Sequence, residues 1–197
     1  MKIKLIKNKS VFEYFVIRFF DITLSIIGII FFSPIFVLIL FFGFFDTGKP
    51  LLFQKRVGYK LKIFNIIKFR SMKLSTVSKG THLINKSKIT RFGFILRKTK
   101  LDEMPQLFNV LIGEMSIVGP RPCLPNQARL ISLRKKKGIF NVLPGITGLS
   151  QINNIDMSSP KKLVSSDYQM IKNLNLIRYL YYILFTLINI KKNFYIK

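Results

Sequence analysis

The feature that most restricts how this chain can fold is an apolar run from Ile22 to Phe45 that contains no charged residue. As a straight helix it would extend roughly 36 Å, which is enough to cross a bilayer. The run is too long for a cleavable signal peptide, and no small-x-small cleavage site follows it. We therefore assign residues 1–48 to a membrane anchor and residues 49–197 to a second domain.

Two properties of the run leave its path through the membrane open. Ser33 and Pro34 lie at its middle, where the proline removes a backbone hydrogen bond and the Ser33 hydroxyl can pair with a freed backbone group. Basic residues flank the run on both sides, so the positive-inside rule gives no direction. A re-entrant helix that breaks at Ser33-Pro34 and a kinked helix that spans the membrane both satisfy these observations.

The charge balance predicts an anionic partner. The 197 residues include 33 Lys and Arg but eight Asp and Glu, which gives a formal net charge of +25. Nucleic acid, anionic lipid and phosphorylated substrates all fit this charge, although part of the lysine excess is compatible with AT-rich coding. The single Cys123 excludes an internal disulfide, and the single His82, predicted to lie in a surface loop, excludes a histidine triad.

Two of the eight acids, Asp102 and Glu103, are adjacent within a basic stretch. Paired carboxylates in such a setting suit a divalent cation, an anionic substrate or both. Because proline is tolerated in the first turn of a helix, Pro105 predicts a helix that begins near Asp102 and ends at Gly113. On residue type alone Asp102 is most simply an N-cap, and that role is compatible with chemistry because a helix N-terminus keeps a carboxylate ionised.

The remaining patterns predict an α+β fold that is mainly helical. Residues 51–57 and 61–68, joined by a glycine-containing turn, are typical of a β-hairpin. Residues 73–90 have the composition of a polar loop, and residues 92–97 that of a short amphipathic turn at the membrane surface. The stretch 174–190 is apolar nearly all round, which indicates either an interface helix or a helix packed against the domain. In the interface reading its tyrosines would lie at headgroup depth, namely Tyr179, Tyr181 and Tyr182.

Three segments of the second half have patterns that suit ligand binding but do not require it. Arg121 lies between two prolines, which hold its backbone extended, and a fixed guanidinium is a good phosphate ligand. A rigid connector with an exposed arginine explains the same residues. The basic run 134–137 indicates a solvated helix end or a contact to anionic lipid. Residues 144–149 are typical of a turn-rich loop.

Five motifs, in this order and spacing, resemble the bacterial sugar transferases, which are monotopic polyprenyl-phosphate phosphoglycosyl transferases. The resemblance covers residues 12–188, and the chain is similar to a short member that contains the catalytic core. The motifs are Ser33-Pro34, Lys68-Phe-Arg-Ser-Met72, Leu101-Asp-Glu-Met-Pro-Gln-Leu107, Val118-Gly-Pro-Arg-Pro122 and Pro144-Gly-Ile-Thr-Gly148.

The resemblance implies a re-entrant helix broken at Ser33-Pro34, an anchor over residues 1–48 and a cytoplasmic catalytic domain with interface helices over residues 49–197. The implied location is the cytoplasmic face of the bacterial inner membrane. The implied reaction transfers a sugar-1-phosphate from a UDP-sugar to undecaprenyl phosphate and releases UMP, as the first membrane step of surface polysaccharide or glycoconjugate synthesis. Its partners would be these substrates and anionic lipid, not nucleic acid, and a homo-oligomer is compatible with it.

The resemblance also implies roles for single residues. Asp102 would attack the β-phosphorus and become a phosphosugar adduct, and Glu103 would assist proton removal from the lipid phosphate. Both carboxylates would hold Mg²⁺. Contacts to substrate phosphates would come from Lys68, Arg70, Arg97 and Arg121, with Asp167 as a late acid of the site.

Some positions depart from the family pattern. Ser87-Lys88 replaces an acidic Asp-Pro-Arg element, Met170 stands where a tyrosine is common, and Tyr179 stands where an acid is often found. These departures leave the sugar preference open. The alternative is a non-catalytic, membrane-anchored basic protein that binds nucleic acid or scaffolds a complex. That alternative explains the charge and the anchor, but not why scarce acids are adjacent.

Overall fold

The computed structural model describes residues 11–74 and 86–195, so His82 and much of the predicted loop 73–90 lie outside the described residues. The prediction of an α+β, mainly helical fold is confirmed. The helices are α1 (Val11–Thr47), α2 (Arg91–Lys98), α3 (Gln106–Leu111), α4 (Ala128–Lys136), α5 (Leu149–Ile152), α6 (Pro160–Asn173) and α7 (Leu176–Tyr195). The strands are β1 (Leu51–Val57), β2 (Ile63–Phe69), β3 (Ser116–Val118) and β4 (Gly145–Thr147).

Helix α1 contains the apolar run and continues through the proline at its middle. Pro34 has no N–H to donate to the carbonyl of Ile30, four residues earlier. The Ser33 hydroxyl donates to that carbonyl at 2.8 Å and so replaces the missing hydrogen bond. The structure therefore places the predicted interruption inside one continuous helix rather than between two helices.

The N-terminal half of α1 is fixed to the domain by a buried carboxylate. Asp21 is 1% exposed and accepts hydrogen bonds from the Ile117 backbone N–H at 2.8 Å, the Ser116 hydroxyl at 3.0 Å and the Tyr179 hydroxyl at 2.8 Å. Arg18, one turn earlier, lies 3.9 Å from Asp21. One acid thereby joins α1 to β3 and to α7.

The C-terminal half of α1 contacts the same domain. The Phe36 ring lies edge-to-face on Phe69 of β2, with 5.3 Å between the ring centroids. Near the end of the helix, the Thr90 hydroxyl donates to the Asp46 carboxylate at 2.6 Å. Contacts to the domain thus extend along α1 from Arg18 to Asp46, so the helix lies beside the domain instead of projecting away from it.

The predicted hairpin is present, with β1 antiparallel to β2 and Leu51 opposite Phe69. The segment 144–149, predicted as a loop, instead contains β4, which pairs in parallel with β3 and places Gly145 opposite Ser116. A Cβ on Gly145 would lie 1.9 Å from the backbone nitrogen of Gly119. Only glycine permits this close approach of the two backbones, which is why a turn-like composition forms a strand here.

Exposed apolar side chains concentrate on α1, α2 and α7. Within the part of the chain that the structure describes, α1 is the one helix long and apolar enough to cross a bilayer by length and composition. Apolar side chains exposed on the other two helices are Phe94, Ile95, Ile177, Leu180, Leu184, Leu187 and Ile188. This distribution suits the predicted interface helices.

Of the three tyrosines placed at headgroup depth, only Tyr181 is exposed. Tyr179 and Tyr182 are buried against the domain, so the prediction is corrected for these two. Tyr179 is held inside by its hydrogen bond to Asp21.

Candidate active site

Three of the predicted site residues meet at one carboxylate oxygen. Lys68 Nζ lies 2.7 Å from Glu103 Oε1, and Arg121 Nη2 contacts the same oxygen. Lys68 lies near the end of β2, Glu103 in a 3₁₀ turn before α3, and Arg121 directly after β3. Residues far apart in sequence are therefore joined by one acceptor. The phosphate contacts that the resemblance implies for Lys68 and Arg121 stay a prediction.

The two cations keep Glu103 ionised. Burial alone would raise the pKa of Glu103, but the charges of Arg121 and Lys68 outweigh burial and hold that pKa well below its usual range. Burial lowers the pKa of Lys68, although Glu103 opposes the shift. The Glu103 charge raises the pKa of Arg121. The Glu103 carboxylate thus lies between two basic side chains.

Asp102, the neighbouring acid, has the opposite electrostatic environment. Its side chain is buried, and burial together with the Glu103 charge raises its pKa to about 6. The charges of Lys68, Arg97 and Arg121 lower the pKa of Asp102, but by less than burial and Glu103 raise it. Adjacent carboxylates whose pKa values are driven apart are typical of sites that perform acid–base or nucleophilic chemistry.

The backbone around the dyad differs from the prediction. Asp102 belongs to the 3₁₀ turn Leu101–Glu103, and α3 begins only at Gln106, with Pro105 as its N-cap residue. The turn follows Lys100, whose positive φ of 56° redirects the chain. Asp102 is therefore not the N-cap of α3, and its pKa is set by its burial and by the charges around it.

Arg97 lies at the active site, close enough that its charge lowers the pKa of Asp102. It extends from the last turn of α2, and its Nε donates to the Ser71 hydroxyl at 3.0 Å. This bond fixes the arginine between α2 and the segment that follows β2. The position suits the predicted contact to a phosphate.

Arg70 has other partners. Its Nε donates to the Lys49 carbonyl at 2.8 Å and its Nη2 to the Leu51 carbonyl at 3.2 Å. The side chain thereby binds the connection between α1 and β1. The structure does not bring Arg70 to the cluster around Glu103, and its predicted phosphate contact stays a prediction.

Asp167 also lies apart from Glu103, in the interior. It is 1% exposed, and its carboxylate accepts hydrogen bonds from Arg134 Nη2 at 2.6 Å and from the Ser150 hydroxyl at 2.7 Å. Arg134 Nη1 in turn donates to the backbone carbonyl of Arg121 at 2.7 Å. Asp167 thus reaches the active site through Arg134, and its geometry favours positioning Arg121 over touching a phosphate.

Sequence reasoning missed Arg134, which it placed in a solvated basic helix end. The guanidinium is 1% exposed, whereas Lys135, Lys136 and Lys137 are exposed as expected. The available signal was helical spacing, because Leu130 lies four residues earlier on the same face of α4 and is buried. Because Arg134 begins a run of four basic residues, the composition of the run did not indicate that this residue faces inward.

Arg56 and Gln106 were also missed. Both are buried, and they line an open cavity of about 200 Å³ together with Lys68 and Arg121. Arg56 Nη1 donates to the carbonyl of Pro122, so the arginine braces the segment that carries Arg121. Strand alternation places Arg56 on the buried face of β1, a signal that sequence reasoning did not use when it counted the basic residues after the apolar run only as flanking charges.

The donor set at the dyad fits a magnesium ion bound jointly with substrate. Over residues 11–74 and 86–195, no group of three or more His, Cys, Asp or Glu side chains could hold a metal ion on its own. Mg²⁺ in phosphoryl-transfer sites commonly uses one or two carboxylates and completes its shell with substrate phosphates and water. Asp102 and Glu103 supply two such carboxylates.

The buried pair between Asp167 and Arg134 gives a stability prediction. Asp167→Asn leaves the Arg134 charge buried without a counterion, so we expect it to lower the free energy of unfolding by about 3–5 kcal/mol. Ser150→Ala removes one hydrogen bond from the same carboxylate and is expected to cost about 1 kcal/mol. Unfolding in detergent micelles, followed by circular dichroism, measures both. Equal stability of Asp167→Asn and the wild type would contradict a stabilising role for the ion pair between Asp167 and Arg134.

Sequence comparison identifies the relatives of this chain. The profile of the family described as bacterial sugar transferase matches residues 12–193. The sugar transferase EpsL of Bacillus subtilis is 37% identical over 157 residues, which are 79% of this chain and 77% of the relative. The exopolysaccharide production protein ExoY of Rhizobium meliloti is 32% identical over 183 residues, 81% of this chain and 78% of the relative.

Other relatives are much longer than this chain. The undecaprenyl-phosphate glucose phosphotransferase of Komagataeibacter xylinus is 38% identical over 145 residues, which are 69% of this chain but only 27% of that protein. The family match nevertheless includes the anchor helix, the dyad and the segment that carries Arg121. By that match and by these identities, the chain belongs to the bacterial sugar transferase family.

Proposed function

We propose that this protein is a phosphoglycosyl transferase that moves a sugar-1-phosphate from a UDP-sugar to undecaprenyl phosphate and releases UMP. The observation that carries the proposal is the pair of adjacent carboxylates with opposite pKa shifts, Asp102 and Glu103, in a cluster of cations. Relatives whose names specify undecaprenyl phosphate with glucose, or UDP-galactose with a lipid carrier, support the substrate class. An exopolysaccharide role is supported in the same way by ExoY.

The first step uses Asp102 as the nucleophile. One carboxylate oxygen forms a bond to the β-phosphorus of the UDP-sugar, and the bond from that phosphorus to the bridging oxygen breaks. UMP leaves with the bridging oxygen and its electron pair, and the sugar phosphate stays on Asp102 as an acyl-phosphate. Lys68, Arg97 and Arg121 offset the negative charge of the phosphates during this displacement.

In the second step an oxygen of undecaprenyl phosphate attacks the phosphorus of the adduct. The bond to Asp102 breaks, which restores the carboxylate and yields a lipid diphosphate sugar. The lowered pKa of Glu103 makes it a weak base, so we assign it to holding Lys68 and Arg121 in place rather than to removing a proton. When bound, Mg²⁺ would neutralise phosphate charge, with Asp102 and Glu103 as its protein ligands.

The packing of α1 supports a re-entrant anchor with the domain on one side of the membrane. A spanning helix would separate its ends by the hydrocarbon thickness of about 30 Å. Both Arg18 and Asp46 contact the domain, which has to remain accessible to a water-soluble nucleotide sugar. A kink at Pro34 would let the continuous helix enter and leave by the same face and so satisfy these contacts. Because nucleotide sugars are cytoplasmic substrates, we place the domain on the cytoplasmic face of the inner membrane.

The covalent step predicts an isolable adduct. In nanodiscs with Mg²⁺, and without a lipid acceptor, the protein is expected to release about one UMP per chain and to gain the mass of a sugar phosphate. UDP-glucose, UDP-galactose and UDP-N-acetylgalactosamine form the first donor panel. Asp102→Asn is expected to abolish both signals, because an amide oxygen is a far weaker nucleophile, whereas Asp156→Asn, an exposed matched change, should retain them.

Either of two results would count against this scheme. UMP release that survives Asp102→Asn would remove Asp102 as the nucleophile. A wild-type protein that releases no UMP with any donor of the panel would favour the non-catalytic scaffold instead.

The raised pKa of Asp102 predicts an acid limit to the first step. A carboxylate must be ionised to attack, so the rate of UMP release should fall about tenfold per pH unit below about pH 6. Rapid quench without lipid acceptor measures this limb and avoids titration of the lipid phosphate. Glu103→Gln removes a nearby negative charge and is expected to shift the limb to lower pH. A rate independent of pH between 5 and 7 would contradict the assignment.

The re-entrant anchor predicts that both ends of α1 are inaccessible from outside the cell. In a Cys123→Ser background, Lys9→Cys and Lys49→Cys should react with a membrane-impermeant maleimide only after lysis, like the domain control Ser158→Cys. Labelling of Lys9→Cys in intact cells, with Lys49→Cys protected, would establish a spanning helix and refute the re-entrant one.

A further inference from the structure

A cavity beside Glu103 contains polar groups that the proposed chemistry has not used. Arg56, Lys68, Gln106 and Arg121 line its polar side, and residues of β2, β4 and the segment after β3 complete the wall. Arg56 is 9% exposed and Gln106 is 2% exposed, so both side chains are built into the interior. Its empty space of about 200 Å³ includes the solvent at its opening.

Two donors in this cavity wall lack acceptors. Arg56 Nε and Gln106 Nε2 are buried and have no hydrogen-bond partner among the residues that the structure describes. The other nitrogens of Arg56 donate to the Pro122 carbonyl at 3.2 Å and to Gln54 Oε1 at 2.5 Å. The guanidinium is therefore fixed in place with one N–H unused. Buried donors are normally paired, so an unpaired set around a cavity indicates an absent acceptor.

The chemistry of the cavity selects an anion with several oxygen acceptors. Three cations surround it, and the carboxylate oxygen nearest to them, Glu103 Oε1, already binds Lys68 and Arg121. Burial and the Arg121 charge lower the pKa of Arg56 to about 10, which leaves it protonated at neutral pH but repelled by its neighbours. A bound phosphoryl group would relieve that repulsion and accept from both unpaired donors.

The position of the cavity distinguishes between the two phosphate-bearing substrates. None of its lining residues belongs to α1, α2 or α7, the helices with exposed apolar side chains. A lipid phosphate arrives at the membrane surface and is held there by its chain. The phosphates of a nucleotide sugar arrive from water, so the cavity suits the water-soluble substrate.

We propose that Arg56 and Gln106 form a subsite for the α-phosphate of the nucleotide sugar, the group that departs as the phosphate of UMP. The inference rests on the proposed function, in which Asp102 attacks the β-phosphate. As the bond to the bridging oxygen breaks, negative charge grows on the UMP phosphate, and donors fixed around it lower the barrier. Arg56 and Gln106 are thereby leaving-group ligands, whereas Arg97 lies beside the nucleophile.

Direct binding of UMP tests the subsite without turnover. Isothermal titration of the full chain in nanodiscs would compare the wild type with Gln106→Glu, Gln106→Met and Arg56→Lys. We expect Gln106→Glu to raise the UMP Kd at least tenfold, since it removes the donor and adds a negative charge. Gln106→Met removes the donor at similar volume, and Arg56→Lys removes Nε–H while it retains a charge. Each of these two should raise the Kd about threefold to tenfold.

Two controls accompany the titration. Gln127→Glu keeps the acceptor that binds the Leu124 backbone N–H at 2.8 Å and lies outside the cavity, so its UMP Kd should equal that of the wild type. Undecaprenyl phosphate binding, measured in the same nanodiscs, should change less than twofold in every variant. Thermal unfolding verifies that each variant is folded. If Gln106→Glu does not fold, the UMP Kd of Gln106→Met tests the role of Gln106.

The outcomes separate the subsite from the reaction. A wild type that releases UMP from a UDP-sugar, while folded variants bind UMP as tightly as it does, would overturn the subsite and leave the reaction intact. Variants that lose binding of undecaprenyl phosphate but still bind UMP would assign the cavity to the acceptor substrate and overturn the proposal. A wild type that releases UMP from a UDP-sugar but binds no UMP would overturn the subsite alone, and one that neither releases nor binds UMP would overturn both the subsite and the proposed reaction.

Discussion

The active site depends on one carboxylate oxygen, Glu103 Oε1, which both Lys68 and Arg121 contact. Without that anion the hairpin lysine and the arginine after β3 would be two partly buried like charges that repel each other. With it, three segments that are distant in sequence are held at one point. The excess of positive charge in the chain makes such an anion necessary, because the proposed phosphate site must also be stable before a phosphate arrives.

Two further buried acids fix the segment that carries Arg121. Asp21 of α1 accepts from the backbone N–H of Ile117 at the start of this segment. Asp167 of α6 holds Arg134, which donates to the carbonyl of Arg121 itself. Arg121 is thus positioned by α1 on one side and by Asp167 of α6, through Arg134, on the other. Helix α1 is in this way part of the support of the candidate active site, and displacement of α1 would be transmitted to Arg121.

The parts of the structure that local patterns determine were predictable from the sequence. The hairpin follows from strand residues around a glycine turn, and the dyad is visible because Asp102 and Glu103 are adjacent. The parallel β3–β4 pair and the Arg134 contacts were not predictable. Each joins residues far apart in sequence, and such contacts form only through the packing of the whole chain. The resemblance supplied the roles of Lys68 and Arg121, which residue type alone left open.

The division of roles within the dyad has the same tertiary origin. Glu103 is bound by two cations, which stabilise its negative charge and make its oxygens weak nucleophiles. Burial and the Glu103 charge raise the pKa of Asp102 to about 6, which makes it the more basic of the two carboxylates. A peptide bond separates two acids of nearly equal intrinsic pKa, and their partners in space drive them apart. In the proposed mechanism the nucleophile is therefore selected by the positions of Lys68 and Arg121, which no reading of two adjacent acids in a sequence can supply.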